Sequence, residues 1–438
     1  MSSHVTRRRF LSNATASAFA APLILSARAA GTQGNKPPSE RIGIGNIGCG
    51  SKNEGHARQL VRNPDAQVVA VCDPNGHKRG KLKHLVQEFY ASQSGQTSYK
   101  GCNDYNDFRD LIANPEVDAV WIATPDHWHV LSALAAIRAG KGAYVEKPLT
   151  LTIEEGRVLA DEVKRTNAVL QCGSQQRSEY SFPRVVELVR NGRIGELRRV
   201  VVALHRDYPG GDGKEEPVPD WFDHDLWLGQ APLAPYCANR CLKIRGWLAI
   251  RAYGGGRIAS WGSHHLDIVQ WALGMDGSGP VEIDGTGTFA QHGLHDQPLT
   301  WDVDIRYTSG VTVHLTTVEP PDPYILFIGD KGFISITRKG VKAEPENVLD
   351  SEIGENEWHA RTSNDHRQNF LDCLRTREEP VAPAEVAHRS ATVCHLATNC
   401  LILGRKLRWN PETECFLNDP EADAMISREM RVPWSLHA

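Results

Sequence analysis

At 438 residues the chain is long enough for two or three domains with cores of their own. An apolar content of 40% and a charged content of 23% are those of a soluble globular protein. A net charge of -4 gives no general pull toward nucleic acid or an anionic membrane, and beyond the N-terminal leader no stretch is apolar enough to span a bilayer.

The leader is read first. Thr6-Arg-Arg-Arg9-Phe10-Leu11 is a basic segment of twin-arginine type, followed by a mildly apolar run from Ala14 to Leu25. Ala27-Arg28-Ala29 offers a small-x-small cleavage site. Residues 1–29 are therefore expected to be a signal peptide and the mature protein periplasmic or otherwise exported, with no membrane anchor. Removing them deletes four arginines and no acid, leaving a net charge of -8. Residues 30–40 read as a flexible linker. Export by this route moves a protein already folded, so the ten scattered cysteines are expected mostly reduced. The close pair Cys237 and Cys241 has no second pair or histidine motif beside it, and no metal is expected there.

Arg41 to Ile47 is an apolar run ending in glycines, as a first buried parallel strand does. Gly48-Cys-Gly50 follows, with Gly55 opening a helical stretch. Glycines here permit a tight turn and close approach of the backbone to a pyrophosphate, which a helix N-terminus then stabilises. The spacing G-x-G-x4-G is longer than the standard fingerprint and weak alone. A second strand, Gln67 to Cys72, ends in Asp73, where an acid accepts hydrogen bonds from the adenosine ribose and repels a 2′-phosphate. That favours NAD over NADP.

Strand and helix patterns keep alternating. Helices are expected at His77–Ala91, Tyr105–Ile112, Val130–Ala139 and Ile153–Thr166. Val117 to Ala123 is a buried strand running into Thr124-Pro-Asp-His127-Trp-His129. Lys141 to Val145 runs into Glu146-Lys147-Pro148, and Ala168 to Cys172 into Gly-Ser-Gln175-Gln-Arg177. Such strands, alternating with helices, argue for a doubly wound parallel sheet over residues 41–175, whose ligands lie beyond the strand C-termini with Thr124, Lys147 and Gln175. Proline restrains the lysine before it, so the Lys147 ammonium is aimed. Glu-Lys-Pro alone also suits a solvated strand-end turn. His127-x-His129 has no carboxylate-rich partner and lies on opposite sides of what reads as an extended segment, so it is not taken as a metal pair.

After Gln175 the pattern changes. Residues 176–438 read as an α+β domain with a mostly antiparallel open sheet, its strands at Leu197–His205, Val281–Phe289, Trp301–Tyr307, Val311–Thr317, Tyr324–Ile328 and Gly332–Thr337. Helices are expected at Phe182–Asn191, Asp365–Arg375 and Pro383–Leu403. A Trp- and Pro-rich loop, Tyr208 to Ala249, is too long for a simple connector and reads as functional or a lid. A glycine run then opens a helix to Leu273, on which Ser260 and His264 share a face and Asp267 lies one turn further on.

A dinucleotide sheet carrying Glu146-Lys-Pro148, then an open sheet with a glycine run and His264, resembles the Gfo/Idh/MocA oxidoreductases from about Arg41 to the C-terminus. The segments PDHWH, EKPLT, GSQQRS, WLG and HHLDIVQWALG resemble exported members of that family. The resemblance implies NAD as cofactor, with Gly48, Gly50 and Asp73 as contacts and Thr124, Pro125, Glu146 and Gln175 around the nicotinamide and its ribose. It implies Lys147 beside the nicotinamide and the substrate hydroxyl, and His264 in proton transfer. The family aspartate four residues before that histidine is here Ser260, which cannot carry a charge; Asp267 or a loop carboxylate is the candidate substitute. His127, Arg177, Tyr236, Arg245, Ser260, His265 and Asp267 complete the substrate-side candidates. A dimer or tetramer is implied by resemblance only. Three functions follow as expectations: a sugar, polyol or glycoside dehydrogenase, a redox-neutral NAD-dependent glycoside hydrolase, or a non-catalytic sugar or nucleotide sensor.

Overall fold

The computed structural model describes residues 40–318 and 322–437; the leader and nearly all of the expected linker lie outside them. The first unit is a six-stranded parallel sheet in the order β3-β2-β1-β4-β5-β6. Its strands are β1 (Ile42–Ile47), β2 (Ala66–Cys72), β3 (Asn103–Tyr105), β4 (Ala119–Ile122), β5 (Gly142–Val145) and β6 (Leu170–Cys172). The interleaved helices are α1 (Ser51–Leu60), α2 (Gly76–Ser94), α3 (Phe108–Ala113), α4 (His129–Arg138) and α5 (Ile153–Thr166). β1, β4 and β5 are buried along their whole length, which is why they read as continuous apolar runs. α5 is fixed at its start by a capping box between Thr152 and Glu155.

The second unit is a nine-stranded mixed sheet in the order β13-β12-β11-β7-β10-β9-β8-β14-β15. It comprises β7 (Leu197–His205), β8 (Glu282–Phe289), β9 (Pro298–Arg306), β10 (Thr312–Val318), β11 (Tyr324–Gly329), β12 (Phe333–Thr337), β13 (Gly340–Glu344), β14 (Leu407–Asn410) and β15 (Cys415–Phe416). β10 pairs with β7 in parallel, and the other pairings are antiparallel. Its helices are α6 (Ser181–Arg190), the short loop helices α7 (His224–Leu228), α8 (Ala238–Leu242) and α9 (Ile244–Trp247), then α10 (Gly256–Leu273), α11 (His366–Thr376), α12 (Ala384–Leu403) and α13 (Pro420–Asp423). On β9 alternate residues are buried, and Trp301, Val303 and Ile305, with Ile283 of β8, face a core shared with α10 and α12.

Three features depart from the sequence reading. α1 opens at Ser51, so Gly55 is an exposed helical residue outside the glycine loop; the inner side of that turn is filled by Asn53, which donates to the carbonyls of Ile47, Gly48 and Trp121. Residues 126–128 form a 3-10 turn leading into α4, so the two histidines do not lie along extended chain. The chain also crosses back: Phe370 and Leu371 of α11 pack into the core of the first unit, as does Leu436 of the tail. All ten cysteines are free thiols.

Candidate active site

Beyond the C-terminal edge of the parallel sheet lies a cavity of about 600 Å³. Gly48, Gly50, Asp73, Thr124, Pro125, Glu146, Lys147, Gln175, Ser260 and His264 all line it. The parallel sheet contributes its strand ends, α10 forms the opposite wall, and residues of α8, α9 and Trp247 to Leu248 close one side.

The end formed by β1 and α1 suits a dinucleotide. Gly48 has φ +84°, and a Cβ there would stand 2.7 Å from the Ala123 carbonyl oxygen, so no other residue fits the turn. Gly50 caps α1 with no side-chain cap bond, which leaves first-turn N–H groups for a phosphate. Asp73 is buried and held by the N–H groups of Cys49 (2.6 Å) and Asn75 (2.8 Å). Burial pushes its carboxyl up, and those two bonds pull the other way.

Glu146 follows β5. It accepts from Gln175 Nε2 (2.9 Å), meets His56 Nε2 at 2.8 Å and lies 3.4 Å from Lys52 Nζ. Burial raises its carboxyl, but His56 and the neighbouring lysines more than offset that and hold it well below the usual range. The next residue, Lys147, precedes a cis proline, and its Nζ donates to the Ser260 carbonyl at 2.8 Å. That bond ties the end of β5 to the turn of α10 that carries His264. Burial lowers the Lys147 pKa, against the pull of Glu146 and Asp126.

His264 is buried, and its Nδ1 has no hydrogen-bond partner among the described residues. Burial, then the Lys147 charge, pushes its pKa well below the ordinary value. The imidazole is therefore neutral near neutral pH and able to accept a proton. The Thr124 and Ser260 hydroxyl oxygens are likewise buried without a hydrogen-bond partner among the described residues. These three polar atoms, all on residues lining one cavity, are what a hydroxylated ligand would satisfy.

The other candidates lie elsewhere. His127 is fully buried, its ring nitrogens facing the carbonyls of Tyr253 and Trp227, and burial brings its pKa down to about 3. Arg177 forms a bidentate pair with Asp267 (2.8 and 3.0 Å) and bonds Asp276, deep in the protein. Asp267 also accepts from Ser390, so it does not replace the aspartate missing at position 260. Tyr236 packs in an aromatic cluster with Phe222. His265 is buried behind His264 and is not part of the cavity wall. Arg245 is exposed, stacked over Tyr208.

Several wall residues were not singled out from sequence. Asp126 is buried, accepts from Gly255 N–H at 3.0 Å, and is close enough to Lys147 to raise its pKa. Burial raises its own carboxyl. It lies in the PDHWH segment, but only the fold places it between the strand end and the start of α10. His129 locks that segment to the lysine loop through the carbonyls of Pro148 (2.7 Å) and Thr124 (3.2 Å). Arg257, Trp261 and Arg338 complete the wall around His264. Among the described residues no group of three potential ligands is placed to hold a metal ion.

Residues 42–174 match the description "Oxidoreductase family, NAD-binding Rossmann fold" and residues 208–436 match "Oxidoreductase family, C-terminal alpha/beta domain". The chain belongs to the Gfo/Idh/MocA oxidoreductase family. Its first unit is thus an NAD-binding Rossmann domain. Among curated relatives, a glycosyl hydrolase family 109 protein of Shewanella putrefaciens is 30% identical over 164 residues, 37% of this chain and 34% of that protein. An alpha-N-acetylgalactosaminidase of Shewanella oneidensis gives the same identity and coverage. The match thus spans about a third of these relatives' length. Among solved structures, the WlbA dehydrogenase of Bordetella pertussis, in complex with NADH and UDP-GlcNAcA, superposes with a TM-score of 0.61 at 18% identity, covering 84% of this chain and 99% of that one. An aldose-aldose oxidoreductase of Caulobacter crescentus gives 0.59 at 19%, with coverage of 84% and 99%. At such identities the likeness is one of fold.

Proposed function

We propose that the protein is an NAD-dependent oxidoreductase acting on a sugar, polyol or glycoside, oxidising a carbinol carbon. The observation that carries this reading is the placement of Lys147 Nζ on the Ser260 carbonyl, beside a neutral His264 whose Nδ1 is open. When bound, NAD⁺ supplies the hydride acceptor. His264 takes the proton of the reacting hydroxyl, and Lys147 donates to the same oxygen and stabilises its developing negative charge. Ser260 can hydrogen-bond a substrate hydroxyl but cannot share the His264 proton as a carboxylate would. Asp126 supplies a negative charge on the Lys147 side of the site instead, which favours the ammonium form.

A second reading is redox-neutral: the ring carbon is oxidised, the glycosidic oxygen eliminated, water added and the hydride returned to the same sugar. The curated relatives named as glycosyl hydrolases favour it. So does the leader, since an exported protein meets no free NAD pool. The deciding assay incubates protein, NAD⁺ and matched free sugars and glycosides. Stoichiometric NADH with an oxidised sugar supports the first reading. Free sugar released without net NADH supports the second. Carbohydrate binding with neither outcome would leave a sensor and refute both.

A further inference from the structure

Among the residues that line the cavity, cations outnumber carboxylates. Five cationic side chains line the cavity (Lys52, Lys78, Lys147, Arg257 and Arg338) against three carboxylates, Asp73, Asp126 and Glu146. Each of those carboxylates already accepts hydrogen bonds from the protein. Lys52 and Lys78 belong to α1 and α2, at the end suited to a pyrophosphate. Lys147, Arg257 and Arg338 remain at the His264 end; Glu146 and Asp126 face Lys147, Asp207 lies beside Arg257, and Glu179 makes a long contact with Arg338.

The two arginines are held in place but not ion-paired at full strength. Arg257 lies on α10 one turn before Ser260, with its guanidinium 4.6 Å from the Tyr208 ring centre and bonded to the Tyr208 hydroxyl. Its Nε is buried without a hydrogen-bond partner among the described residues. Arg245 stacks over the same ring at 4.7 Å, so two guanidiniums share one phenol. The nearby Asp207 spends its oxygens on the backbone N–H groups of Tyr208 and Arg257. Arg338, from the β12–β13 turn, lies 5.3 Å from the centre of the Trp261 ring, which in turn meets His264 edge-on. Its contact with Glu179 is long, 3.6 Å, and both side chains are 40% exposed. Neither guanidinium forms a short, two-pronged bond with a carboxylate, so their donors stay available to an anionic group.

We infer that the substrate is an anionic sugar, its acid group seated against Arg257 and Arg338 while its reacting hydroxyl meets Lys147 and His264. This rests on the oxidoreductase reading above and narrows its substrate class. The fork of a guanidinium accepts either a carboxylate or a phosphate. The test therefore uses matched probes on NAD⁺-loaded protein: glucose, glucuronate and glucose 6-phosphate, with the galactose and mannose series alongside. Calorimetric affinity and NADH formation are both read. At least one acid should bind tenfold or more tighter than its neutral parent, and raising the salt concentration should erode that margin. Whether uronate or phosphate wins identifies the acid group.

Arg338→Met, at an exposed turn that the fold tolerates, should remove most of the preference, read as the ratio of acid to neutral-sugar affinity. Arg257→Lys, which keeps the charge but not the fork, should reduce the preference in part. If in every pair the neutral sugar binds as well as the acid, or neither binds, the inference is overturned. Neutral sugars that reduce NAD⁺ as efficiently as their acids would overturn it while leaving the oxidoreductase reading intact. An Arg338-dependent acid preference with no NADH would do the reverse.

Discussion

Asp267→Asn removes one charge from the most buried ion pair near the site while keeping the side chain's shape. Arg177 and Asp267 are 3% and 1% exposed and joined by two short bonds. Arg177 also packs 4.6 Å from the Trp271 ring. Breaking a buried pair from one side typically costs ~3–5 kcal/mol, because a charge is left without compensation. Here Asp276 still faces the guanidinium at 2.8 Å, which places the cost near ~3 kcal/mol. For a domain of this size each kcal/mol moves the melting point by about 2–4 °C, so a fall of ~6–12 °C is expected. Thermal melting by circular dichroism reads it, with substrate KM measured in parallel on folded protein. KM should move less than about threefold, since neither residue lines the cavity. An unchanged melting point together with a tenfold rise in KM would show that the pair belongs to the substrate site after all.

Other expectations follow from the same geometry. Ser260→Asp places a carboxylate one helical turn from His264; it stabilises the imidazolium, so the acid limb of kcat/KM should move to higher pH, and an unmoved limb would mean that His264 does not set it. Asp126→Asn removes a charge that raises the Lys147 pKa; the alkaline limb should move to lower pH with NAD⁺ affinity unchanged, and a shift upward contradicts the assigned role. Besides His264, four imidazoles are buried neutral: burial brings His127 and His265 down to about 3 and His366 and His395 down to about 4. Each is lower folded than unfolded, so the unfolded chain binds protons first as the pH falls. Stability should decrease from about pH 6.5 toward 4, by up to ~1.4 kcal/mol per pH unit for each imidazole. A melting temperature flat across that window would refute it.

Sequence periodicity served the long elements well. α5 was expected at Ile153–Thr166 and is found there, because its capping box and apolar stripe are local. The edge strand β3 is three polar residues and leaves no such pattern, and β13, β14 and β15 are short for the same reason. The parallel pairing of β7 with β10 joins residues far apart in sequence, and no local signal encodes it. In the site, residues tied to strand ends or glycine turns were legible: Gly48, Asp73, Lys147 and His264 converge on one cavity. Arg177, His127, His265 and Asp267 were drawn toward substrate by their chemistry and proximity in sequence. Tertiary packing instead gave them buried carbonyls, counter-ions or core neighbours. Asp126, Arg257 and Arg338 went unmarked because their roles exist only once β4, α10 and the β12–β13 turn meet.

The central claim is that Lys147 and His264 serve hydride chemistry at a bound NAD. The most direct measurement follows the absorbance of the nicotinamide in NAD⁺-loaded protein on addition of carbohydrate substrates, in the wild type and in Lys147→Met. The wild type should show reduced nicotinamide, lasting for a dehydrogenase and transient for a redox-neutral hydrolase. Lys147→Met should bind both ligands and form it at least ~10²-fold more slowly. A wild type that binds NAD⁺ and carbohydrate without ever reducing the nicotinamide, or a Lys147→Met variant that reduces it at the wild-type rate, would contradict the account.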